Sequence, residues 1–381
     1  MKTSNILVIE LTGTPRERGR IYGESAKPQI TEIVEQWRHD LGNYGQNSAT
    51  AKPIDTDEYL NAFLTETNYL SAIQKWTPNL LEEVKGLAEA SGQPFETMLG
   101  MQLWDEEWIF GLRRRLHRPT TKCTAFGLPN QHEGISYAGQ NMDVGSWVDG
   151  KQVLLRVMPH SDKAESVESP ETLVFTVAGN IGLNGLNAGG LGITCNTLAQ
   201  LNCSTQGLPV AFIVRAILEK QTLENAQRFL TAIKHASGQN YILSSPGDMR
   251  CFECCGTGVA RYVPTEYQGR VFHSNHPLIN TDICEPPLTR SKRKNTEARL
   301  ASICHRLGDI SRLYDLDDIK AALAAHDDPD NPVSRNTNNE GSSIGYTAGS
   351  SIYEFSDKPR LHLAAGPPCE TAFKLFEFKA A

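Results

Sequence analysis

The pattern of the chain changes abruptly near residue 120, and this change limits the folds that the chain can adopt. After an opening strand at Ile6–Leu11, apolar residues recur at helical spacing over Ile30–Leu41, Asp57–Ile73 and Leu80–Ala90. From Cys123 onward, short β-rich segments broken by Gly, Pro, Asn and Asp predominate. The first part is therefore predicted to be mainly helical and the second to contain most of the strands.

The predicted strands come in runs and the later helices come in pairs, which argues against regular alternation of strand and helix. The strand segments are Cys123–Leu128, Ser136–Gln140, Gln152–Met158, Thr172–Val177, Gly190–Asn196, Tyr241–Ser244, Arg261–Pro264, Ser350–Phe355 and Leu361–Ala364. The helical segments are Val210–Lys220, Leu223–Ile233, Thr296–Arg306 and Leu316–Ala325. This order predicts an α+β fold of two stacked antiparallel sheets with helices outside. The change from a helical to a β-rich pattern near residue 120 would also fit a domain boundary.

Charge and hydropathy argue against several classes of partner. The 381 residues carry a net charge of −7, and the one basic run, at Arg113–Arg115, is too short for a polyanion stripe. We therefore expect no nucleic acid and, since no run approaches 18 apolar residues, no membrane partner. The N-terminus lacks the apolar core of a signal peptide, and the nine scattered cysteines predict reduced thiols in a cytoplasmic protein.

Cys123 stands at the head of the first strand after a basic, proline-containing run. A single cysteine that starts a strand is most often structural. Small, polar, turn-forming clusters follow it at Gly139–Asp143, Asn187–Asn196, His273–Pro277 and Ser334–Arg335. Catalytic groups tend to lie in such clusters at the ends of strands, so these segments are candidate parts of one site.

In this order and spacing, the segments resemble the N-terminal nucleophile (Ntn) hydrolases, and within them the fungal acyl-CoA:isopenicillin N acyltransferase group, peptidase family C45, which includes the 6-aminopenicillanic acid acyltransferases. The resemblance extends from Thr12–Gly19 through Gly86–Gly92 to Gly366–Cys369. It implies a four-layer αββα sandwich. It also implies a zymogen whose α-subunit, residues 1–122, and β-subunit, residues 123–381, stay together as a heterodimer within one structural domain.

By this resemblance, autoproteolysis between Lys122 and Cys123 frees the α-amine of the cysteine. An N-terminal cysteine supplies both nucleophile and base, because its amine (pKa about 7.7–8.0) and thiol (about 8.5) exchange a proton at low cost near neutral pH. Asp143 is expected to hold the new ammonium. Asn275 is expected to donate its side-chain N–H, and Asn196 its backbone N–H, to the oxyanion. Turn or capping roles are the competing interpretation of all three.

Four further residues are candidates near the site. Ser334 and Arg335 resemble a Ser-Arg pair that supports processing and substrate binding in the family, while a plain surface arginine is the alternative. Trp104 and Trp108 lie upstream of the cleavage site and are either helix core or part of the acyl pocket. Gln140 stands where the related bile-salt hydrolases carry an arginine, which argues against bile-salt-like or penicillin V-like recognition.

Other patterns are too irregular to carry a function. The cysteines of Cys251–Cys255, taken with His273, lack the paired spacing of a zinc site. The segment Asn187–Gly192 is rich in glycine, but it lacks the G-x-G-x-x-G order and the βαβ setting of a nucleotide loop. No metal and no cofactor are expected. Glu106 and Glu107 are expected to be solvated or to cap a helix.

The sequence therefore predicts an amidohydrolase that cleaves small-molecule N-acyl amides with a hydrophobic acyl group, such as N-acyl amino acids, through a thioester on Cys123. Acyl transfer to an amine stays open, as does a higher homo-oligomer. One alternative is an acyl-CoA-dependent N-acyltransferase of the 6-aminopenicillanic acid type. A second alternative is a non-catalytic, uncleaved binding or structural protein.

Overall fold

A computed structural model describes residues 6–43, 54–114, 122–159, 168–284, 290–336 and 345–379. The helices are α1 (Pro15–Ser25), α2 (Lys27–Gly42), α3 (Thr56–Glu66), α4 (Tyr69–Trp76), α5 (Pro78–Ser91), α6 (Phe95–Met101), α7 (Trp104–Arg113), α8 (Val210–Leu218), α9 (Leu223–Ala232), α10 (Arg290–Leu307) and α11 (Leu316–Leu323). The strands are β1 (Leu7–Leu11), β2 (Lys122–Leu128), β3 (Ser136–Val144), β4 (Gln152–Val157), β5 (Thr172–Val177), β6 (Asn184–Asn187), β7 (Gly192–Thr197), β8 (Gln239–Ser245), β9 (Asp248–Cys254), β10 (Val259–Tyr262), β11 (Val271–His273), β12 (Tyr346–Phe355), β13 (Arg360–Ala364) and β14 (Lys374–Glu377).

The described strands form two sheets. The first sheet has the order β1-β4-β5-β6-β7-β8-β9-β10 and is antiparallel except for the parallel β1–β4 pair. The second sheet has the order β11-β2-β3-β12-β13-β14 and is antiparallel throughout. Strand β1 therefore brings the start of the chain into a sheet built otherwise from residues after Cys123.

The sheets are stacked, with helices on their outer faces. Strands β2 and β3 of the second sheet pack against β7 and β8 of the first. Helices α8 and α9 cover the first sheet, and α10, with α11 beside it, covers the second. This is a four-layer αββα sandwich, so the predicted α+β fold is confirmed.

The stacking explains why the central strands are apolar without alternation. Every residue of β4 and of β5 is buried, because a strand in an inner layer is covered on both faces. Their sequences, QVLLRV and TLVFTV, are accordingly rich in β-branched and aliphatic residues. Outside the sheets, none of the helices in the described ranges combines the length and apolar character that a bilayer crossing requires.

One predicted helix is wrong in its length. The sequence predicts a single helix over Asp57–Ile73, but the structure has α3 and α4 separated at Thr67 and Asn68. The Asn68 N–H donates to the carbonyl oxygen of Thr205 at 2.7 Å instead of to the preceding helical turn. A contact with a distant loop therefore interrupts a pattern that is locally helical.

Helices α1 and α5 pack with their backbones in close approach. A Cβ atom on Gly19 would lie 1.9 Å from the Glu83 carbonyl oxygen, and one on Gly86 would lie 2.1 Å from the Arg16 carbonyl oxygen. No side chain fits at either position without separating the helices. This explains the glycines in the two N-terminal segments that carry the family resemblance.

A buried ion cluster fixes this helix pair to the rest of the fold. The carboxylate of Glu83 on α5 accepts from Arg18 on α1 at 3.1 Å and from Arg215 on α8 at 2.6 Å. Burial raises the pKa of Glu83, but the two guanidinium charges and their hydrogen bonds outweigh it and hold the pKa below its usual range. Residues on both sides of the Lys122–Cys123 bond thus share one buried charge cluster.

Candidate active site

Cys123 lies near the start of β2, in the interior of the sandwich. The β2–β3 ladder pairs Lys122 with Asp143 and Cys123 with Met142. The Cys123 side chain is 2% exposed, and its Sγ lies 3.5 Å from Met142 Sδ. At the predicted cleavage site, the structure describes the strand positions of Lys122 and Cys123. Residues 115–121 lie outside the described residues.

Asn275 directly contacts the nitrogen of Cys123. Its Oδ1 accepts from the backbone N–H of Cys123 at 2.7 Å and from Arg299 Nη2 at 2.9 Å. Its Nδ2 donates to the carbonyl oxygen of Thr197 at 3.1 Å. Two donors converge on one side of the amide and an acceptor lies on the other, which determines the orientation of the side chain. The carbonyl side of Asn275 therefore faces Cys123 N, and its predicted oxyanion role stays a prediction.

The loop that carries Asn275 is held by buried polar contacts. The Asn275 N–H donates to Thr296 Oγ1 at 2.7 Å. Two residues earlier, His273 Nε2 lies 2.8 Å from Glu253 Oε1, and the same carboxylate accepts the backbone N–H groups of residues 278–280. Burial raises the pKa of Glu253, but His273 and these N–H groups hold it below its usual range. Within the described ranges, no group of three or more His, Cys, Asp or Glu is placed to hold a metal ion.

Arg299 is a site residue that sequence reasoning missed. Its fully buried guanidinium group donates to the Cys123 carbonyl oxygen, to Thr124 Oγ1 at 2.8 Å and to Asn275 Oδ1. Burial lowers its pKa to about 10, although the negative charge of Asp143 opposes this change. It is one of several basic residues in α10, and nothing in the local sequence distinguishes the one that points inward.

Asp143, the strand partner of Lys122, contacts Arg335. Asp143 Oδ1 accepts from Thr347 Oγ1 at 2.6 Å, and its Oδ2 lies 3.4 Å from Arg335 Nε. The Arg335 N–H donates to the same Thr347 hydroxyl at 2.9 Å. Arg335 is 1% exposed, so the alternative of a surface arginine is wrong. Ser334 is also buried, and its hydroxyl accepts from the Cys369 N–H at 3.3 Å.

The surroundings of Cys123 raise the pKa of its thiol. Burial raises the pKa of the thiol most, and the negative charges of Asp143 and Asp105 raise it further. The positive charge of Arg299 acts in the opposite direction without overcoming them. A buried thiolate would lack enough positive charge nearby to replace its hydration.

Asn196 lies on β7, next to the site but with its side chain directed elsewhere. Its neighbours Cys195 and Thr197 line the same cavity as Cys123. Because successive side chains of a strand point to opposite faces, the Asn196 side chain lies on the other face, where its Oδ1 accepts from Asn240 Nδ2 at 2.9 Å. Asn196 can therefore reach the site through its backbone and not through its side chain. Its role as a backbone donor to the oxyanion stays a prediction.

A small, largely apolar cavity adjoins Cys123. The described residues that line it are Gln102, Trp104, Asp105, Cys123, Met142, Val144, Asn180, Gly182, Leu183, Cys195, Thr197, Val210 and Ala211. Trp104 belongs to this lining and makes an edge contact with Trp147, with ring centroids 5.6 Å apart. Trp108 is buried but is not part of the described lining. The cavity is lined by residues from the first 122 positions and by residues from the remainder of the chain.

Of the two roles expected for Glu106 and Glu107, solvation and helix capping, solvation is wrong because both residues are buried. Glu106 Oε1 accepts from the N–H of Val210 at 3.2 Å and from Ser237 Oγ at 2.7 Å, so it caps the N-terminus of α8. Burial and the charge of Asp105 raise the pKa of Glu106 to about 8. Glu107 accepts from the Tyr59 hydroxyl at 2.7 Å.

Gln140 connects the two sheets beside the site. Its Oε1 accepts from Cys195 N–H at 2.8 Å, and its Nε2 donates to the Cys195 carbonyl oxygen at 3.1 Å. Both polar atoms of the side chain are therefore engaged by the β7 backbone. Gln140 therefore has a structural role between the two sheets of this chain.

Comparisons with known proteins place these residues in a family. The sequence profile of the family described as "Acyl-coenzyme A:6-aminopenicillanic acid acyl-transferase" matches residues 131–366, more than half of the chain. The matched range contains Asp143, Asn275 and Arg335 and begins after Cys123. No curated protein sequence matches the chain significantly.

Three of the many remotely similar solved structures are an amidase, an acylase and a hydrolase. An N-acylethanolamine-hydrolyzing acid amidase ortholog from Caenorhabditis elegans has a TM-score of 0.41 and 15% identity, covering 60% of this chain and 92% of its own. The penicillin V acylase from Agrobacterium tumefaciens has a TM-score of 0.45 and 17% identity, covering 68% and 87%. A variant of the conjugated bile acid hydrolase from Clostridium perfringens has a TM-score of 0.41 and 13% identity, covering 68% and 97%.

The match over residues 131–366 confirms the family that the sequence resembled. A thiol beside an apolar cavity, with buried amide and guanidinium groups around its backbone, suits chemistry at an acyl carbon. The chain therefore belongs to the acyl-coenzyme A:6-aminopenicillanic acid acyl-transferase family and is an enzyme that acts on carbon–nitrogen amide bonds.

Proposed function

We propose that the chain is an N-terminal-cysteine amidohydrolase that activates itself by cutting the Lys122–Cys123 bond and then cleaves N-acyl amides. The observation that carries this proposal is the arrangement at Cys123. Its thiol adjoins an apolar cavity, while its nitrogen is bound by Asn275 Oδ1 at 2.7 Å. A residue that must act through both its sulfur and its nitrogen needs both groups to be positioned in this way.

Self-cleavage begins with attack of Cys123 Sγ on the Lys122 carbonyl carbon. The C–N bond breaks, the nitrogen takes the thiol proton, and a thioester joins residues 1–122 to the sulfur. Water then hydrolyses the thioester, which leaves a carboxylate on Lys122 and a free amine and thiol on Cys123. Asp143 lies opposite Lys122 in the β2–β3 ladder, where a carboxylate would stabilise the new ammonium group.

In the cut enzyme, the free amine of Cys123 accepts the proton of the thiol, which the amide of the intact chain cannot do. The thiolate attacks the substrate carbonyl carbon, and the amine returns the proton to the departing nitrogen. The resulting thioester is hydrolysed by water to a carboxylate. Asn275 Oδ1 would accept a hydrogen bond from the Cys123 amine just as it does from the amide, which keeps that nitrogen in place.

The cavity lining favours a hydrophobic acyl group. Val144, Leu183, Val210 and Ala211 surround the space next to Cys123. Burying an acyl chain there is favourable by about 0.8 kcal/mol per methylene group. An N-acyl amino acid or a similar linear amide meets this requirement, and an amine in place of water would convert the hydrolase into an acyltransferase.

Intact mass and N-terminal sequencing of the purified protein test the self-cleavage. We expect two fragments, the second beginning at Cys123, and a single inactive chain for Cys123→Ala. Cys304→Ala is the matched control, since that thiol lies outside the cavity, and it should cut normally. A Cys123→Ala protein that still splits at this bond or turns over amides would overturn the proposal.

A substrate panel then decides the reaction. N-acyl amino acids and N-acyl anilides of increasing chain length, each with water alone, are compared with acyl-CoA plus an amine. Amide hydrolysis by the cut protein supports the proposal. Product from acyl-CoA plus amine alone would identify a CoA-dependent acyltransferase instead, and an uncut chain without either activity would indicate a non-catalytic protein.

A further inference from the structure

Asp105 is the one residue with a carboxyl group among the described residues that line the cavity. It lies in the first turn of α7, and its side chain is partly accessible. Its Oδ2 accepts from Thr197 Oγ1 at 2.8 Å and from Gln239 Nε2 at 2.7 Å. Its Oδ1 receives no hydrogen bond from the described residues. The carboxyl group is thus anchored through one oxygen, with the other left for a ligand.

The charge of Asp105 is not balanced by a cation in the described part of the chain. No lysine or arginine there contributes to its pKa, which burial raises and the two hydrogen bonds lower. Its negative charge instead raises the pKa of Glu106 and of the Cys123 thiol. A carboxylate that is partly withdrawn from water without a positive partner is disfavoured, so a ligand that supplies a positive charge would be bound favourably.

We propose that Asp105 is a specificity-determining residue that binds a primary ammonium group on the substrate. The preferred substrates would then be amides whose acyl chain carries an amine, with methylene groups between the ammonium and the scissile carbonyl. This inference rests on the proposed function, because it names the substrate class of the same site. Leu183 and Val210 would contact the methylene groups while Asp105 Oδ1 accepts from the ammonium.

Such binding would also act on the nucleophile. The negative field of Asp105 disfavours ionisation of Cys123, and an ammonium held between them would offset it. Substrate binding and thiolate formation would therefore be coupled. Asp105 belongs to residues 1–122 and Cys123 to residues 123–381, so both segments are needed for this recognition.

Matched substrate pairs test the proposal. The 4-nitroanilides of 3-aminopropanoic, 4-aminobutanoic and 6-aminohexanoic acid are compared with those of butanoic, pentanoic and heptanoic acid, in which a methyl group replaces the ammonium. We expect the wild-type enzyme to favour at least one ammonium substrate by about tenfold or more in kcat/KM. Asp105→Asn keeps the shape of the side chain and should bring that ratio close to one.

The buried residue Glu107, which bonds to Tyr59 outside the cavity lining, provides the control. Glu107→Gln should leave the ratio between paired substrates unchanged. A wild-type enzyme without preference in any pair would overturn the proposal. An Asp105→Asn protein that loses activity equally on both members would overturn it as well, since Asp105 would then only position Thr197.

A second measurement does not depend on turnover. Cys123 is alkylated with iodoacetamide in the presence of hexylamine or 1-hexanol at equal concentration. Peptide mapping then distinguishes alkylation of Cys123 from alkylation of Cys195, which lines the same cavity. We expect protection by hexylamine that Asp105→Asn abolishes. Equal protection by the amine and the alcohol would overturn the inference. Selective protection without hydrolysis of any anilide would instead count against the proposed function alone.

Discussion

The side-chain oxygen of Asn275 lies 2.7 Å from the backbone nitrogen of Cys123 and accepts its hydrogen bond. This nitrogen is an amide in the intact chain and would be an amine after cleavage. A single contact therefore joins the two stages of the proposed mechanism. The same oxygen also accepts from Arg299, so a buried positive charge keeps the Asn275 side chain turned toward Cys123.

Replacing Asn275 by alanine should remove both of its polar functions. These are the Oδ1 acceptor for Cys123 N–H and Arg299, and the Nδ2 donor. We expect Asn275→Ala to lower turnover by about 10²–10³, the scale of one lost oxyanion donor. The measurement is kcat of the cut enzyme on the best anilide of the panel. Turnover close to wild type for Asn275→Ala would remove the residue from the site.

Arg299 should be required for processing as well as for stability. Its guanidinium satisfies acceptors on Cys123, Thr124 and Asn275 at once, which a lysine ammonium cannot reproduce in the same planar geometry. We expect Arg299→Lys to cut more slowly and Arg299→Met to remain largely uncut. Each buried acceptor left unpaired costs about 1–3 kcal/mol, so the melting temperature should also fall.

The exposed residue Arg293, six residues earlier on α10, gives the matched control. It pairs with Glu297 at the surface, so Arg293→Lys should cut and melt like wild type. The time course of fragment formation on a denaturing gel decides the comparison. If Arg299→Met is processed as fast as Arg293→Lys, Arg299 has no part in positioning the bond.

The rate of self-cleavage should increase with pH across the neutral range. Burial and the charges of Asp143 and Asp105 raise the pKa of the Cys123 thiol above its usual value of about 8.5. Below such a raised pKa, the thiolate fraction grows about tenfold for each pH unit. Fragment formation in freshly refolded chain, followed between about pH 6 and pH 9, should therefore rise without a plateau. A plateau that begins near pH 7 would contradict the raised pKa.

The layers of the fold are predictable from the sequence because local patterns determine them. The strands Gln152–Met158 and Thr172–Val177 and the helix Val210–Lys220 are found within one or two residues of their predicted bounds. The division of Asp57–Ile73 into two helices is not predictable, since it depends on a hydrogen bond from Asn68 to a loop far along the chain.

The candidate site likewise contains residues that the sequence predicts and residues that it does not. Cys123 and Asn275 are recognisable because each stands in a short motif at a defined distance from the other motifs. Arg299 and Asp105 carry no such motif. An arginine in a basic helix and an aspartate in the first turn of a helix have ordinary surface explanations. Only the packing of α10 and α7 against the sheets directs these two side chains toward the site.

The buried cluster around Glu83 should decide whether the two fragments stay together after cleavage. Glu83 and Arg18 precede the Lys122–Cys123 bond and Arg215 follows it, and all three side chains are buried. Glu83→Gln leaves two buried guanidinium groups without their counter-charge, which costs about 3–5 kcal/mol when a buried pair is broken. We expect the variant to unfold at a clearly lower urea concentration, and its cut form to separate into fragments on size exclusion in mild urea.

Glu82 provides the matched control, since it precedes Glu83 on α5 and pairs with Arg16 and Lys85 at the surface, where its side chain is 43% exposed. Water and salt screen such pairs, so Glu82→Gln should cost at most about 1 kcal/mol and leave the fragments associated. Comparing both variants in the uncut Cys123→Ala background separates loss of folding from loss of association. If Glu83→Gln and Glu82→Gln shift the urea midpoint equally, the buried cluster does not join the segments, and the apolar core between them must hold them together.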